Sequence, residues 1–342
     1  MSYVFENTEK TKEKASDYET FAALFMLGTY SRKNKVEYIL IDSFNDVSAA
    51  NKDISEIYDI QSKGYKQISL GNIGRFLYTL LKNYQTDFPF KEFILFLETI
   101  DSKYINTPTK VLHFSDFKNK FHKNIINGLY KEIQKRETIE ITDLLKKQIT
   151  EFLSLVTFVI NPSTKSEAVI NLIPIKKPIK SVDDFYISIF NEIRDIQSAK
   201  KNICIENKSI NIPSEVLQFE KHITKKEINT LLINRIIGVN LFQEKNIPTF
   251  LIKYFNFIKL DTVAYEDFIL DSCSELSIMF FNKNNKRNIW ILLFFVIDII
   301  DDNPNKDIND LLKMIDEVKI NKAGISINTV AYLISRIKEG KQ

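Results

Sequence analysis

The segment VEYILIDSFNDVSAANKDISEIYDIQSKG, residues 36 to 64, gathers side chains whose types and spacing could do chemistry: Asp46, then Asp59, Gln61 and Lys63 at alternate positions. In an extended strand residues i, i+2 and i+4 share a face. Asp59, Gln61 and Lys63 are therefore expected to project together, with Tyr58, Ile60 and Ser62 pointing the other way. A carboxylate and an amide oxygen can hold Mg²⁺ against a phosphate, where the ion neutralises charge and activates a water. A neighbouring amine positions that water or stabilises charge developing on the phosphorus oxygens. Asp46, at the end of one strand, and Gln61-x-Lys63, on the next, are the parts such a phosphodiester hydrolysis needs. The bland alternative is a solvated polar row on an edge strand, where charges discourage aggregation.

These residues need elements to hold them. YETFAALFMLGTY, residues 18 to 30, reads as a helix entered through Ser16 or Asp17. VEYILID (36 to 42) and Ile57 to Ser62 read as strands, with a polar, turn-rich insert between them. In GNIGRFLYTLLKNY the positions Ile73, Leu77, Leu80, Leu81 and Tyr84 fall at helical spacing, which predicts one amphipathic helix. FILFL (93 to 97) and KVLHF (110 to 114) have strand length, and Phe117 to Ile133 predicts another helix. Both periodicities alternate within one short region, so the N-terminal part is expected to be α/β, a mixed sheet flanked by helices.

Prolines punctuate NPSTKSEAVINLIPIKKPIK, residues 161 to 180, and place the expected domain boundary at 165/166, within a span of 160 to 240. Beyond it the chain is expected to be mainly helical. Ser181 and Asp184 signal the start of a helix running to Ala199, and TKKE (224 to 227) has the capping-box pattern.

With 47 Lys and Arg against 44 Asp and Glu, the chain as a whole does not carry the charge of a basic nucleic-acid binder, so any such contact must be local. The clusters Lys118, Lys120, Lys123 and Lys176, Lys177, Lys180 could touch phosphates, although most charge runs keep a surface wet. Cys204 and Cys273 are too few for a disulfide framework or a Cys-rich zinc site, and are expected to be inert, buried thiols in a reducing, cytoplasmic setting. His113, His122 and His222 have no metal-motif spacing, and GNIGR lacks the GK(S/T) ending of a phosphate loop. The apolar runs at 276 to 281 and 289 to 297 fall short of the roughly 20 residues that span a bilayer, so they are expected in a core.

DSFNDV followed by YDIQSK resembles the acid and QxK signature of PD-(D/E)xK, restriction-endonuclease-like nucleases. The layout of helix, hairpin and helix over Tyr18 to Tyr84 is similar to the double-stranded-DNA nuclease effectors of bacterial anti-phage systems of the Lamassu and CBASS types, with the helical C-terminal half favouring the Lamassu type. The resemblance implies that Asp46 is a metal ligand, that Lys63 is the catalytic lysine, and that Gln61 stands where the family has its second acid. It also implies that Glu19 is a first-helix carboxylate at the metal. A neutral amide at position 61 leaves the site less anionic than a glutamate would, and Asp59 or Asp42 could compensate. The activity implied is that of a Mg²⁺- or Mn²⁺-dependent endonuclease acting on double-stranded DNA. It would be restrained by partner subunits, among them an SMC-like ATPase, and active as a homo-oligomer. The alternative is a non-catalytic scaffold that keeps the nuclease-like fold to bind partners.

Overall fold

The computed structural model describes residues 2–5, 13–161, 163–175, 183–242, 247–282 and 286–342. Lys176, Lys177, Lys180 and the expected cap at Ser181 lie outside them. The protein is α/β, with its sheet in the N-terminal half and helices making up most of the remainder. It forms two compact units, residues 1–172 with 183–225 and residues 173–182 with 226–342.

The first unit begins with β1 (Tyr3–Val4), α1 (Glu13–Gly28), β2 (Tyr38–Ile41), β3 (Val47–Ala50) and β4 (Ile57–Lys63). It continues through α2 (Leu70–Phe76), α3 (Tyr78–Tyr84), β5 (Phe90–Leu97), β6 (Val111–His113), α4 (Asn119–Glu137), α5 (Asp143–Leu155) and β7 (Val156–Ile160). It closes with α6 (Lys165–Ile170), α7 (Asp183–Lys201), β8 (Ser209–Ile210) and β9 (His222–Thr224). Seven strands form a mixed sheet in the order β6-β7-β5-β4-β3-β2-β9, in which β4-β5 and β5-β7 are parallel and the other pairs antiparallel.

Alternation sorts the sheet's two faces. Phe93, Leu95 and Leu97 of β5 pack with Leu70, Ile73 and Leu80 of α2 and α3 and with Ile125 and Leu129 of α4. The intervening Phe96 meets Phe25 of α1 on the opposite face. Close approach of α2 to α4 depends on glycine: a Cβ at Gly74 would stand 1.9 Å from the Ile125 carbonyl, and one at Gly128 would stand 2.1 Å from that of Gly71. GNIGR therefore serves helix packing.

Several local expectations need correcting. The insert between β2 and β4 contains a strand, β3, because its Val-Ser-Ala-Ala side chains are all buried between two neighbours whose pairing overrides the weak strand preference of Ser48, Ala49 and Ala50. The expected helix over 73 to 84 is two, meeting at Leu77, which caps both. Ser16 and Asp17 lie inside α1 and not at its entry, where Ser16 hydrogen-bonds Ser198 and Asp17 pairs with Lys165 and Arg194. Cys204 is exposed, so only Cys273 is the buried thiol expected of both.

The second unit takes α8 (Lys225–Ile237) from Lys226 onward, then α9 (Thr249–Ile258), α10 (Tyr265–Phe281), α11 (Lys286–Asp302), α12 (Ile308–Lys313), α13 (Glu317–Ala323) and α14 (Ile327–Gly340). α14 is its central helix, buried from Thr329 through Lys338. Leu276 and Phe280 of α10 and Trp290, Leu293 and Phe294 of α11 are core residues, and no described helix is long and apolar enough to cross a membrane.

Candidate active site

The hairpin of β3 and β4 pairs Val47 with Ile60, which sets Asp46, in the turn just before β3, opposite Gln61. That turn is closed by the Asp42 N–H donating to the Asp46 carbonyl at 3.2 Å, with Asp42 at φ 48°, a left-handed conformation that aspartate tolerates better than most residues. Four donor groups of β4 converge on one oxygen of Asp46. The Gln61 amide donates to Oδ2 at 2.5 Å, the Ser62 N–H at 2.9 Å, the Ser62 hydroxyl at 3.2 Å, and the Lys63 Nζ stands 3.4 Å away. Asp46 and Lys63 keep 23% and 24% of their side-chain surface exposed, so water and a ligand can reach them.

The alternation expected of β4 holds for Asp59, Gln61 and Lys63, while the Ser62 hydroxyl, expected on the other face, also reaches Oδ2 of Asp46. Asp59 and Gln61 bond to Asn83 and Thr79 of α3, and the Lys63 amine lies 5.8 Å from the Phe76 ring of α2. Gln61 is nearly buried and its oxygen accepts from the Thr79 hydroxyl at 2.7 Å, which fixes the plane of the amide. Asp59 belongs to the wall of the site. It is fully buried and accepts from Asn45 at 2.6 Å, Ser48 at 3.0 Å and Asn83 at 2.7 Å. Burial pushes its carboxyl up to about 7 against the pull of those donors.

Glu19 comes from the other side of the sheet. A Cβ on Gly64 would collide with the ring of the neighbouring Tyr18 at 2.2 Å, which places this turn of α1 on the Ser62 face. The Glu19 carboxylate is held by Lys201 of α7 at 2.8 Å, with the two side chains only 5% and 9% exposed. Burial first, and then the charge of Asp46, raise Glu19 to about 7, with Lys201 opposing both. Asp42 is likewise raised by burial and lies 3.4 Å from Lys221, a lysine that is 1% exposed and also donates to the Lys201 and Ile203 carbonyls. Burial pulls Lys201 down, but Glu19, Asp42 and Asp46 together hold it above the usual lysine range. The structure thus brings Asp46, Gln61 and Lys63 together, and keeps Glu19 in the electrostatic range of Asp46 with Lys201 as its partner.

Lys201, Lys221, Ser62 and Thr79 had no signal in the sequence. The two lysines arrive from α7 and from the residue before β9, far along the chain, and only the fold sets them against the carboxylates. Among the described residues no group of three or more His, Cys, Asp and Glu side chains is arranged to hold a metal ion.

The donor set still suits a hard cation of modest demands. Among the described residues no hydrogen bond reaches Oδ1 of Asp46, and half a turn of the Gln61 amide would present its oxygen to Asp46 and its NH₂ to the Thr79 hydroxyl, which can accept. Mg²⁺ takes one or two protein oxygens and completes its shell with water and phosphate. Asp46 and Gln61 meet that requirement. A scan against protein-family models, a search of curated proteins and a search of solved structures each find no match.

Proposed function

We propose that the protein is a metal-dependent nuclease that cleaves double-stranded DNA, with Asp46, Gln61 and Lys63 at its centre. The observation that supports this most is the convergence of the Gln61 amide and the Lys63 amine on one carboxylate oxygen of Asp46, at a partly exposed strand end. Asp46 and Gln61 would hold Mg²⁺ or Mn²⁺, which supplies charge neutralisation at the phosphate and a water of lowered pKa. Lys63, released from Asp46, orients that water and meets charge building on the phosphorus oxygens. Thr79 keeps the Gln61 amide in plane, and Ser62 fixes the Asp46 carboxylate through its N–H and hydroxyl.

Because Gln61 brings no charge, the site binds its ion weakly until a DNA phosphate adds negative oxygens. That property suits an effector restrained by partner subunits and released when several copies gather on DNA, as the resemblance to anti-phage nucleases implies. One observation favours the scaffold reading instead: Oδ2 of Asp46 is already satisfied by its own hairpin, as in a site that holds itself together without metal.

Cleavage of supercoiled plasmid with Mg²⁺ or Mn²⁺, by the protein alone and assembled with its partners, tests the proposal. The Lys63→Ala variant is expected to fold and to lose cutting. Full activity of that variant would refute the assignment, and an inert wild-type assembly would leave the scaffold reading standing.

A further inference from the structure

Beneath α1, on the sheet face opposite Gln61, the first unit contains a cavity of about 560 Å³, a size common among small-molecule sites. Phe21, Leu24 and Phe25 of α1 and Ile94 and Val159 of the sheet build an apolar part of its wall, while Ser31, Asn161 and Asn171 make other parts polar. Its lining includes one carboxylate, Glu92 of β5. It accepts from the Thr157 hydroxyl at 2.6 Å through one oxygen and from the Tyr30 hydroxyl through the other. Each carboxylate oxygen can accept two hydrogen bonds, so one acceptor position per oxygen remains. Arg32, Lys91 and Lys110, all exposed, also line the cavity and give it a cationic rim. Glu92 pairs across the sheet with Tyr58, and Lys63 pairs with Leu97, five residues further along β5. At about 3.3 Å per residue this separates Glu92 from Lys63 by roughly 17 Å along the strand direction.

We propose that this cavity is a binding site for a small ligand with a flat ring carrying adjacent N–H donors and an anionic tail, the chemistry of a guanine nucleotide. The apolar walls accept the faces of a ring, as aromatic and aliphatic side chains do in ring-binding pockets. The remaining Glu92 acceptors favour a donor, because an acceptor brought against the carboxylate is left unpaired. Guanine presents two neighbouring N–H groups on one edge and matches a carboxylate in two-point contact. Adenine sets an acceptor beside its amine and does not. The rim lysines Lys91 and Lys110 then take the phosphate, while Arg32 is held by a hydrogen bond with Tyr58.

Isothermal titration of the full chain with GMP, AMP, guanosine and inorganic phosphate tests this. GMP is expected to bind saturably, about tenfold or more tighter than AMP, following the cost of an unpaired acceptor. Glu92→Gln, which places an NH₂ against the ring donors, should remove most of the preference for GMP over AMP. Lys91→Ala with Lys110→Ala should weaken GMP by about tenfold and leave guanosine unchanged, the loss expected for a phosphate contact. Ala168→Phe, filling the cavity from α6, should abolish GMP binding while the protein keeps its helical circular dichroism, and it carries the test if Glu92→Gln fails to fold. Absence of saturable GMP binding, equal binding of GMP and AMP, or undiminished binding to the filled variant would each overturn the proposal.

Discussion

Replacing Lys201 by methionine isolates the electrostatics that surround the candidate site. The pair it removes is buried, with Lys201 and Glu19 9% and 5% exposed and 2.8 Å apart. Stripping one partner from a buried ion pair costs about 3–5 kcal/mol when the remaining charge must stay ionised. Glu19 has an escape, however, since burial and the Asp46 charge already raise it to about 7 from the ordinary 4.5. A carboxyl raised in the folded state contributes stability that is complete below its unfolded pKa and is lost as pH rises through the folded one. In the wild type that loss runs from 4.5 to about 7 and then stops. Without Lys201 the carboxyl rises further, so the loss continues above 7 at up to about 1.4 kcal/mol per pH unit. The variant should therefore be about 1.5–3 kcal/mol less stable near pH 6, where a bond from the Lys201 ammonium to a mostly protonated carboxyl is lost, and about 3–5 kcal/mol less stable near pH 9. Urea unfolding followed by circular dichroism across that range reads the difference, and adding Glu19→Gln to Lys201→Met should flatten it. A stability difference that is the same at both ends of the range would refute the assignment of Glu19 as a carboxyl held up by burial and Asp46.

Three other outcomes are expected from the same geometry. Lys63→Ala should change stability by no more than about 1 kcal/mol, because its ion pair with Asp46 is partly exposed, as measured by urea unfolding. Gly74→Ala should lower stability by about 1–3 kcal/mol or more, since its Cβ would stand 1.9 Å from the Ile125 carbonyl and force α2 away from α4, a change visible as a lower thermal midpoint. Asp59→Asn should become progressively more favourable relative to wild type as pH rises from about 4 to about 7, by a few kcal/mol in all, because the raised carboxyl loses its stabilising neutral form over that window; a flat difference in denaturant midpoints would contradict it.

Much of the candidate site was legible because β4 alternates cleanly. Tyr58 and Ile60 alternate with Asp59, Gln61 and Lys63, and a period of two assigns each to a face without knowledge of the rest of the fold. β3 was hidden, since Ser48, Ala49 and Ala50 carry no strand preference and are extended only because β2 and β4 pair with them. β7 was obscured differently: EFLSLVTFVI is one apolar stretch in which α5 ends at Leu155 and the strand begins at Val156, with no glycine or proline between. The break at Leu77 left no trace because both short helices bury residues at a common helical spacing. Glu19 shows the limit of local reading most clearly. Its position on α1 was expected, but its partner Lys201 lies 182 residues away, and only the packing of α1 against α7 brings that amine onto Glu19 and into the electrostatic range of Asp46.

Titration of the protein with Mn²⁺, read by electron paramagnetic resonance, tests most directly whether Asp46 and Gln61 form an ion-binding site beside Lys63. Asp46→Ala should abolish binding, and Gln61→Ala should weaken it about tenfold, as loss of a neutral oxygen ligand does. Lys63→Ala should retain or strengthen binding, because the amine competes with the ion for Asp46. Mn²⁺ binding that persists undiminished in Asp46→Ala would contradict the account.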